Sequence, residues 1–155
     1  MLTIVASAVC TLALAVAIFF VVNYRPQHTP PPFEPGAVTG TPEPPERIGH
    51  VGFDAGNFTF MIASVMYQQE DGSVGLYLTN PLGNDVYLMC EVIDQDGNTI
   101  YRSGLLRPGE YVAGLYPTAR LGGEIIDVIV HIYALEPEGF FSAGTVMLGN
   151  VLQLY

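Results

Sequence analysis

The feature that most constrains the fold is an alternation of apolar and polar residues in short runs between Ser73 and the C-terminus. A period of two residues places successive side chains on opposite faces of an extended strand, so these runs predict half-buried β-strands. Alternation assigns the following side chains to the core: Val74, Leu76, Leu78, Val86, Leu88, Cys90, Val92, Ile126, Val128, Val130, Ile132, Ala134, Val146, Leu148, Leu152 and Leu154.

The spacing of these runs predicts one all-β domain over residues 48–155. An additional strand around NFTFMIASVMY brings the count to about seven, and turn signals separate the strands. This pattern is typical of an immunoglobulin-like antiparallel β-sandwich. A domain of about 108 residues buries roughly 60–70% of its unfolded surface, which is enough for a core without disulfides.

Residues 1–22 contain no Asp, Glu, Lys, Arg or His. As a helix this stretch is about 33 Å long, enough to cross a hydrocarbon core of about 30 Å. The segment therefore predicts one N-terminal transmembrane helix that precedes the β domain. A cleaved signal peptide is the alternative, but no basic residue precedes the apolar run, so we expect a retained anchor. Arg25 alone favours a cytoplasmic domain under the positive-inside rule, but the flanking charges are so few that the orientation stays open.

Residues 23–47 are rich in proline and lack apolar periodicity. Proline at this density favours extended polyproline II backbone, with about 3.1 Å per residue. We expect a semi-rigid linker that could hold the domain up to roughly 75 Å from the membrane. A PxxP binding motif is the other interpretation, but the basic residues that usually accompany such motifs are scarce here.

The chain carries a net charge of −10 and contains no lysine. Nucleic acids and anionic lipid surfaces reward dense positive charge, so nucleic acid is excluded as an expected partner. The two cysteines, Cys10 and Cys90, lie in the predicted membrane span and in the domain. They cannot pair within one chain, and the sequence predicts no disulfide framework.

The segment Asp94–Asn98, DQDGN, opens like a calcium-binding EF-hand loop. Such a loop requires glycine at its sixth position and glutamate at its twelfth, but Thr99 and Leu105 occupy those positions. Asp-Gly between two alternating runs is instead a strong hairpin signal. We therefore predict a turn and no metal site.

No catalytic constellation is visible in the sequence. Cys90 falls on the core side of its strand, which is typical of a small core hydrophobe rather than an activated thiolate. His131 and Asp127 lie four residues apart on one strand, about 13 Å, which is too far for a hydrogen-bonded pair. The chain also lacks zinc motifs, phosphate-binding loops and a nucleophile elbow. We expect no enzymatic activity and no cofactor.

One surface feature points to an interface. Alternation directs several apolar and aromatic side chains outward, and on neighbouring strands they would form a contact patch. The alternative, weighed equally, is that the segment TARLGG and the preceding turn cover this patch. The candidate interface residues are Tyr77, Tyr87, Met89, Ile125, Ile129 and Tyr133.

The run from Leu76 to Glu110 resembles a family of small Gram-positive bacterial proteins. These proteins have one N-terminal transmembrane helix, a linker and a β domain. The shared elements are Asn80-Pro81 after a strand, Tyr87, and the pattern Y-x-S-G-L-x-x-P-G from Tyr101 to Gly109. The chain departs from the family at Leu121–Ile126. The resemblance implies a membrane-anchored sandwich, often encoded near mobile-element or conjugation-type genes, and it implies no chemistry.

Together these observations predict a non-enzymatic, single-pass membrane protein whose β-sandwich lies outside the cytoplasmic membrane. We expect it to act by contact with a protein of the cell envelope, as an accessory to an envelope or DNA-transfer assembly. The alternative is a module that binds a cell-wall glycan or a divalent cation.

Overall fold

The computed structural model describes residues 29–118, 121–122 and 124–154. In these residues the chain is all-β, as predicted, with ten strands rather than about seven and with no helix. The strands are β1 Val38–Thr39, β2 His50–Asp54, β3 Thr59–Ala63, β4 Met66–Gln68, β5 Val74–Asn80, β6 Tyr87–Asp94, β7 Thr99–Arg102, β8 Glu110–Leu115, β9 Ile125–Leu135 and β10 Ser142–Gln153.

The strands form one connected, curled sheet in the order β1-β8-β5-β4-β10-β9-β6-β7, with β2 paired to β3 and β3 to β5. All pairings of these strands are antiparallel except that of β10 with β4, where Leu152 faces Met66 in parallel register. The parallel pair joins the β5 half of the sheet to the β6–β9–β10 half. Curling brings the inner faces of the two halves together around a shared core.

The core contains the side chains that alternation assigned to it, together with others from β3, β4, β7 and β8. Most are buried, including Leu76, Leu88, Val130 and Leu152, each no more than 1% exposed. Cys90 is fully buried, and burial raises the pKa of its thiol to about 12, so it is a neutral core side chain as predicted. Four of the assigned residues are only half-buried against this core: Ile126, Val146, Leu148 and Leu154.

Strand β5 breaks the alternation. Tyr77, predicted to point outward, is only 9% exposed and belongs to the core, with φ at +51°. The register against β8 shifts between Gly75 and Leu78, so this part of the strand is bulged. The imidazole of His50 lies 2.9 Å from the Tyr77 carbonyl oxygen. The outward assignment of Tyr77 is therefore corrected, because the bulge turns its side chain away from the surface.

The DQDGN segment is a turn between β6 and β7, as predicted. One carboxylate oxygen of Asp94 accepts hydrogen bonds from the backbone N–H groups of Asp96 and Asn98, and the other accepts one from the Asn98 amide. Gly97 has φ at +83°, a conformation that glycine adopts without strain. The Asp94 carboxylate is thus used to close the hairpin, and these hydrogen bonds lower its pKa.

Asn80 organises the turn that follows β5. Its fully buried amide donates to the carbonyl oxygens of Val86 and Leu106, and its own side-chain oxygen accepts from Asn84. The Asn84 side chain in turn accepts a hydrogen bond from the Thr59 N–H through its oxygen and donates one to the Thr59 carbonyl through its nitrogen. The Asn-Pro step therefore ties three separate segments together.

Part of the predicted linker lies against the domain. We call residues 31–39 the strap. Val38 and Thr39 form β1 and pair with Tyr111 and Glu110 of β8, and Phe33 forms a parallel bridge with Leu105. Proline density predicted a semi-rigid linker over residues 23–47, and the strap is the part of it that pairs with the domain. The remainder of that segment, residues 23–28, lies outside the described residues.

No helix of the described residues is long and apolar enough to cross a membrane. The predicted span, residues 1–22, lies outside them.

Candidate interaction face

The outward side of β6, β9 and β10 forms the surface that the sequence singled out, and we call it the outer face. Strand register sets its rows. Met89 lies opposite Tyr133, Glu91 opposite His131, and Ile93 opposite Ile129. The rows continue onto β10, where Met147 lies opposite His131 and Gly149 opposite Ile129.

One end of the outer face is covered by the strap. The Phe33 ring packs edge-on against Tyr87, with ring centres 5.2 Å apart, and Phe140 approaches the same tyrosine at 5.9 Å. The guanidinium of Arg107 lies 3.7 Å from the centre of the Phe33 ring, within cation–π range. Met89, on the same side of β6, is only 7% exposed.

Glu34 fixes the strap in place. Its two carboxylate oxygens accept hydrogen bonds from the backbone N–H groups of Gly104, at 2.7 Å, and Gly36, at 3.1 Å. Its own N–H donates to the Leu105 carbonyl, and Leu105 donates to Pro32. A Cβ at Gly104 would lie 2.5 Å from the Glu34 nitrogen, so only glycine permits this approach.

A polar network occupies the middle of the outer face. Glu91, 7% exposed, accepts hydrogen bonds from Thr99 at 2.8 Å and Arg102 at 2.6 Å through one oxygen, and from Tyr133 at 3.1 Å through the other. The Tyr133 hydroxyl also lies 3.1 Å from Nδ1 of His131. Both carboxylate oxygens are therefore occupied, which makes the network an internal support for the face rather than a free acid or base.

The pKa values of this network follow from the same contacts. Burial alone would raise the pKa of Glu91, but the hydrogen bonds from Thr99, Arg102 and Tyr133 and the Arg102 charge outweigh it and lower the pKa. Burial and the hydrogen bond to Glu91 raise the pKa of Tyr133. Glu91 is therefore held as a carboxylate and Tyr133 as a neutral phenol.

The other end of the outer face is open, and we call it the open face: Ile93, Ile125, Asp127, Ile129, Met147, Gly149 and Val151. Ile125, Ile129 and Met147 are 65%, 44% and 69% exposed. Gly149 leaves a depression between Ile129 and Val151, since a Cβ there meets no described atom within 4 Å. The Gln95 amide donates to Asp127 at 3.0 Å beside it.

The structure thus divides the six predicted interface residues into three groups. Ile125 and Ile129 are exposed on the open face. Tyr87, Met89 and Tyr133 lie on the outer face, but they are covered by the strap or engaged in the polar network. Tyr77 lies in the core. Met147 and Gly149 were missed, although placing Val146 and Leu148 in the core already implied that their neighbours point outward.

Among the described residues, no group of three His, Cys, Asp or Glu side chains could hold a metal ion. No known family model matches the chain, and no curated protein matches it.

Proposed function

We propose that this protein is a membrane-tethered, non-enzymatic β domain that acts by protein–protein contact through the open face. The observation that carries the proposal is the exposure of three apolar side chains, Ile125, Ile129 and Met147, on the outward side of the paired strands β9 and β10. Clustered apolar exposure on a rigid sheet is typical of a contact surface. We also propose that the curled sheet is an immunoglobulin-like sandwich whose two inner faces enclose the core.

The proposed membrane attachment rests on the uncharged residues 1–22 and on the docked strap. Six residues, 23–28, separate the proposed span from the first described residue, so the two are at most about 25 Å apart. This is far shorter than the roughly 75 Å that a wholly extended linker allowed. The proposal therefore places the domain close to the membrane surface, with a partner in the same membrane or immediately beside it.

The exterior location and the envelope or DNA-transfer role are proposed from the resemblance to the Gram-positive membrane-anchored family. The acidic balance of the chain supports a protein partner over nucleic acid. Cys90 is buried as a neutral thiol and both carboxylate oxygens of Glu91 accept hydrogen bonds, so the proposal gives neither side chain a catalytic role.

The alternative function is ligand binding at a cleft beside the β6–β7 turn. This cleft has a volume of about 760 Å³ and is lined by Asp94, Asp96, Leu121 and Asp127, among others. Both carboxylate oxygens of Asp94 already accept hydrogen bonds within the turn, so fewer carboxylate oxygens are left to bind a cation. The cleft therefore favours a cell-wall glycan as the ligand, contacted through the side-chain amides and the exposed Ile125.

Two experiments test the proposed function. Protease treatment of intact cells that express a C-terminally tagged chain reports on which side the domain lies. We expect loss of the tag while a cytoplasmic control stays intact; a tag cleaved only after lysis would place the domain inside.

The second experiment replaces Ile129 with a photo-crosslinking amino acid in those cells. Val51 on β2 is the matched control, because the two side chains are 44% and 41% exposed. We expect a discrete crosslinked protein from position 129 and none from position 51. Equal yields at both positions, or no product at either, would remove the open face as the contact surface.

A further inference from the structure

A carboxylate lies in the middle of the apolar open face. The outward positions at the start of β9 are Ile125, Asp127 and Ile129, and all three side chains are exposed. Outward positions that follow each other on a strand are about 7 Å apart. The open face therefore presents an apolar, an acidic and an apolar side chain in turn along one strand.

Asp127 borders two hollows of this surface. One is the cleft beside the β6–β7 turn, which Asp96 and Ile125 also line. The other is the depression over Gly149, which Ile129 also lines and which has a volume of about 510 Å³. The two hollows thus meet at one carboxylate, with an exposed isoleucine on either side of it.

No arginine of the described residues neutralises this carboxylate. The chain has no lysine. Each described arginine contacts a group elsewhere: Arg47 the Tyr67 ring, Arg102 the Glu91 carboxylate and Arg107 the Phe33 ring. Arg25 and Arg120 lie outside the described residues. Within the described part of the chain, the open face is therefore apolar with an uncompensated negative charge.

We propose that the open face binds a protein segment that carries a lysine or arginine side chain between two apolar side chains. The basic side chain lies over Asp127, and the apolar side chains cover Ile125 and Ile129. Asp96 adds to the negative potential of the cleft, and complementary potentials of this kind fix the register of a partner and speed its approach. The proposed partner rests on the proposed function and adds its chemistry.

Charge separates this occupant from the others. A second copy of the chain, related by a two-fold axis, would set the carboxylates of the two open faces against each other, and each copy has a net charge of −10. Nucleic acid and anionic lipid are repelled for the same reason. A wholly apolar surface would bury Asp127 without an ionic partner, which costs free energy. A basic and apolar protein segment matches both parts of the face.

The first test removes the charges and keeps the apolar side chains. It uses cells whose chain carries an apolar photo-crosslinking amino acid at position 129. Asp96→Asn/Asp127→Asn removes two carboxylates from the open face, and Glu136→Gln/Glu138→Gln removes two exposed carboxylates from the β9–β10 turn as the matched control. We expect the crosslinked product to decrease about three- to tenfold in the first variant and to stay unchanged in the second.

The second test supplies the chemistry of the partner as a peptide. The purified full chain, with the same crosslinking amino acid at position 129, is illuminated with a peptide that contains Leu-Ser-Lys-Ser-Leu. Two further peptides replace the lysine with glutamate or both leucines with serine. We expect each replacement to lower the amount of labelled chain at least about threefold, measured by mass spectrometry. Asp127→Glu, which keeps the charge, should retain labelling, whereas Asp127→Asn should lose most of it.

Three results overturn the proposed partner chemistry: equal products from the two double variants in cells, equal labelling by the lysine and glutamate peptides, or a cellular product with the mass of two copies of this chain. A product from position 129 that joins another protein would still leave the proposed function standing. No product from position 129 in cells would remove the proposed function and this partner with it.

Discussion

The two ends of the outer face are built from the same strands and differ in what lies over them. At one end, Phe33 of the strap covers Tyr87, and Met89 is nearly inaccessible. At the other, Ile129 and Met147 are exposed. The comparison shows that an outward-facing apolar side chain is not yet a contact surface, because a distant segment of the same chain can serve as its partner.

Proline suits the covering segment for a physical reason. Its ring fixes φ, so the strap loses less conformational entropy on docking than an ordinary segment would. Proline also lacks an N–H group that docking would have to satisfy. The carbonyl oxygen of Pro32 accepts a hydrogen bond from the Leu105 N–H, and the Glu34 carboxylate accepts one from the Gly104 N–H.

The largest expected effect comes from removing the close approach of the strap. Gly104→Ala should destabilise the domain by about 2–3 kcal/mol, because the new methyl group has no space beside the Glu34 backbone. Thermal unfolding measures the loss, and limited proteolysis should show faster cleavage before residue 40. Unchanged cleavage in the strap would mean that Gly104 does not hold it.

Phe33→Ala tests the cover itself. We expect a loss of about 1.5 kcal/mol, since the variant removes the edge-on contact with Tyr87 and the Arg107 cation–π contact. Phe141→Ala is the control, because that ring is 68% exposed and should contribute little. Denaturant unfolding of both variants measures the loss of stability. Equal losses in the two variants would contradict a specific role for the strap.

The polar network around Glu91, between the two ends of the outer face, should make the free energy of unfolding depend on pH. The pKa of Glu91 is lower in the folded than in the unfolded chain, where it is about 4.3. Its contribution is therefore present above about pH 4.3 and is lost as the pH falls through the lower, folded value.

Urea midpoints between pH 6 and pH 3 measure this dependence. Glu91→Gln should flatten the acid part of the profile, by about 1 kcal/mol at most. A profile identical to that of the wild type would show that other carboxylates dominate the dependence.

The smallest expected effect has the opposite sign. Gly149→Ala should raise stability by about 0.5 kcal/mol, because the residue has an ordinary φ and open space for the methyl group. The same substitution is therefore expected to destabilise at Gly104 and to stabilise at Gly149. Thermal unfolding at pH 7 compares them directly; a loss at both positions would mean that the depression is part of the packing.

Much of the fold was predictable because its signals are local. Alternation in β6 and β9 identified Leu88, Cys90, Val130 and Ile132 as core residues, and all are fully buried. The Asp-Gly step identified the turn after β6, since Asp94 binds groups only two to four residues away. In each case the residues that decide the structure are close together in sequence.

The open face was only partly predictable. Ile125 and Ile129 follow from alternation, but the bulge that buries Tyr77 is set by pairing with β8 and by the approach of His50. Alternation assumes a regular strand, and it has no means of detecting an inserted residue that rotates a side chain from one face to the other.

The sequence by itself determined that the described domain is all-β, which side of β6 and β9 faces the core, and that a turn follows β6. Tertiary structure decided which outward side chains are covered. Glu34 reaches Gly104 across 70 residues of sequence, and the curl of the sheet pairs the end of β10 with β4. A periodic pattern predicts which face of its own strand a side chain occupies. Whether that face is covered depends on segments distant in sequence, which only the fold brings near.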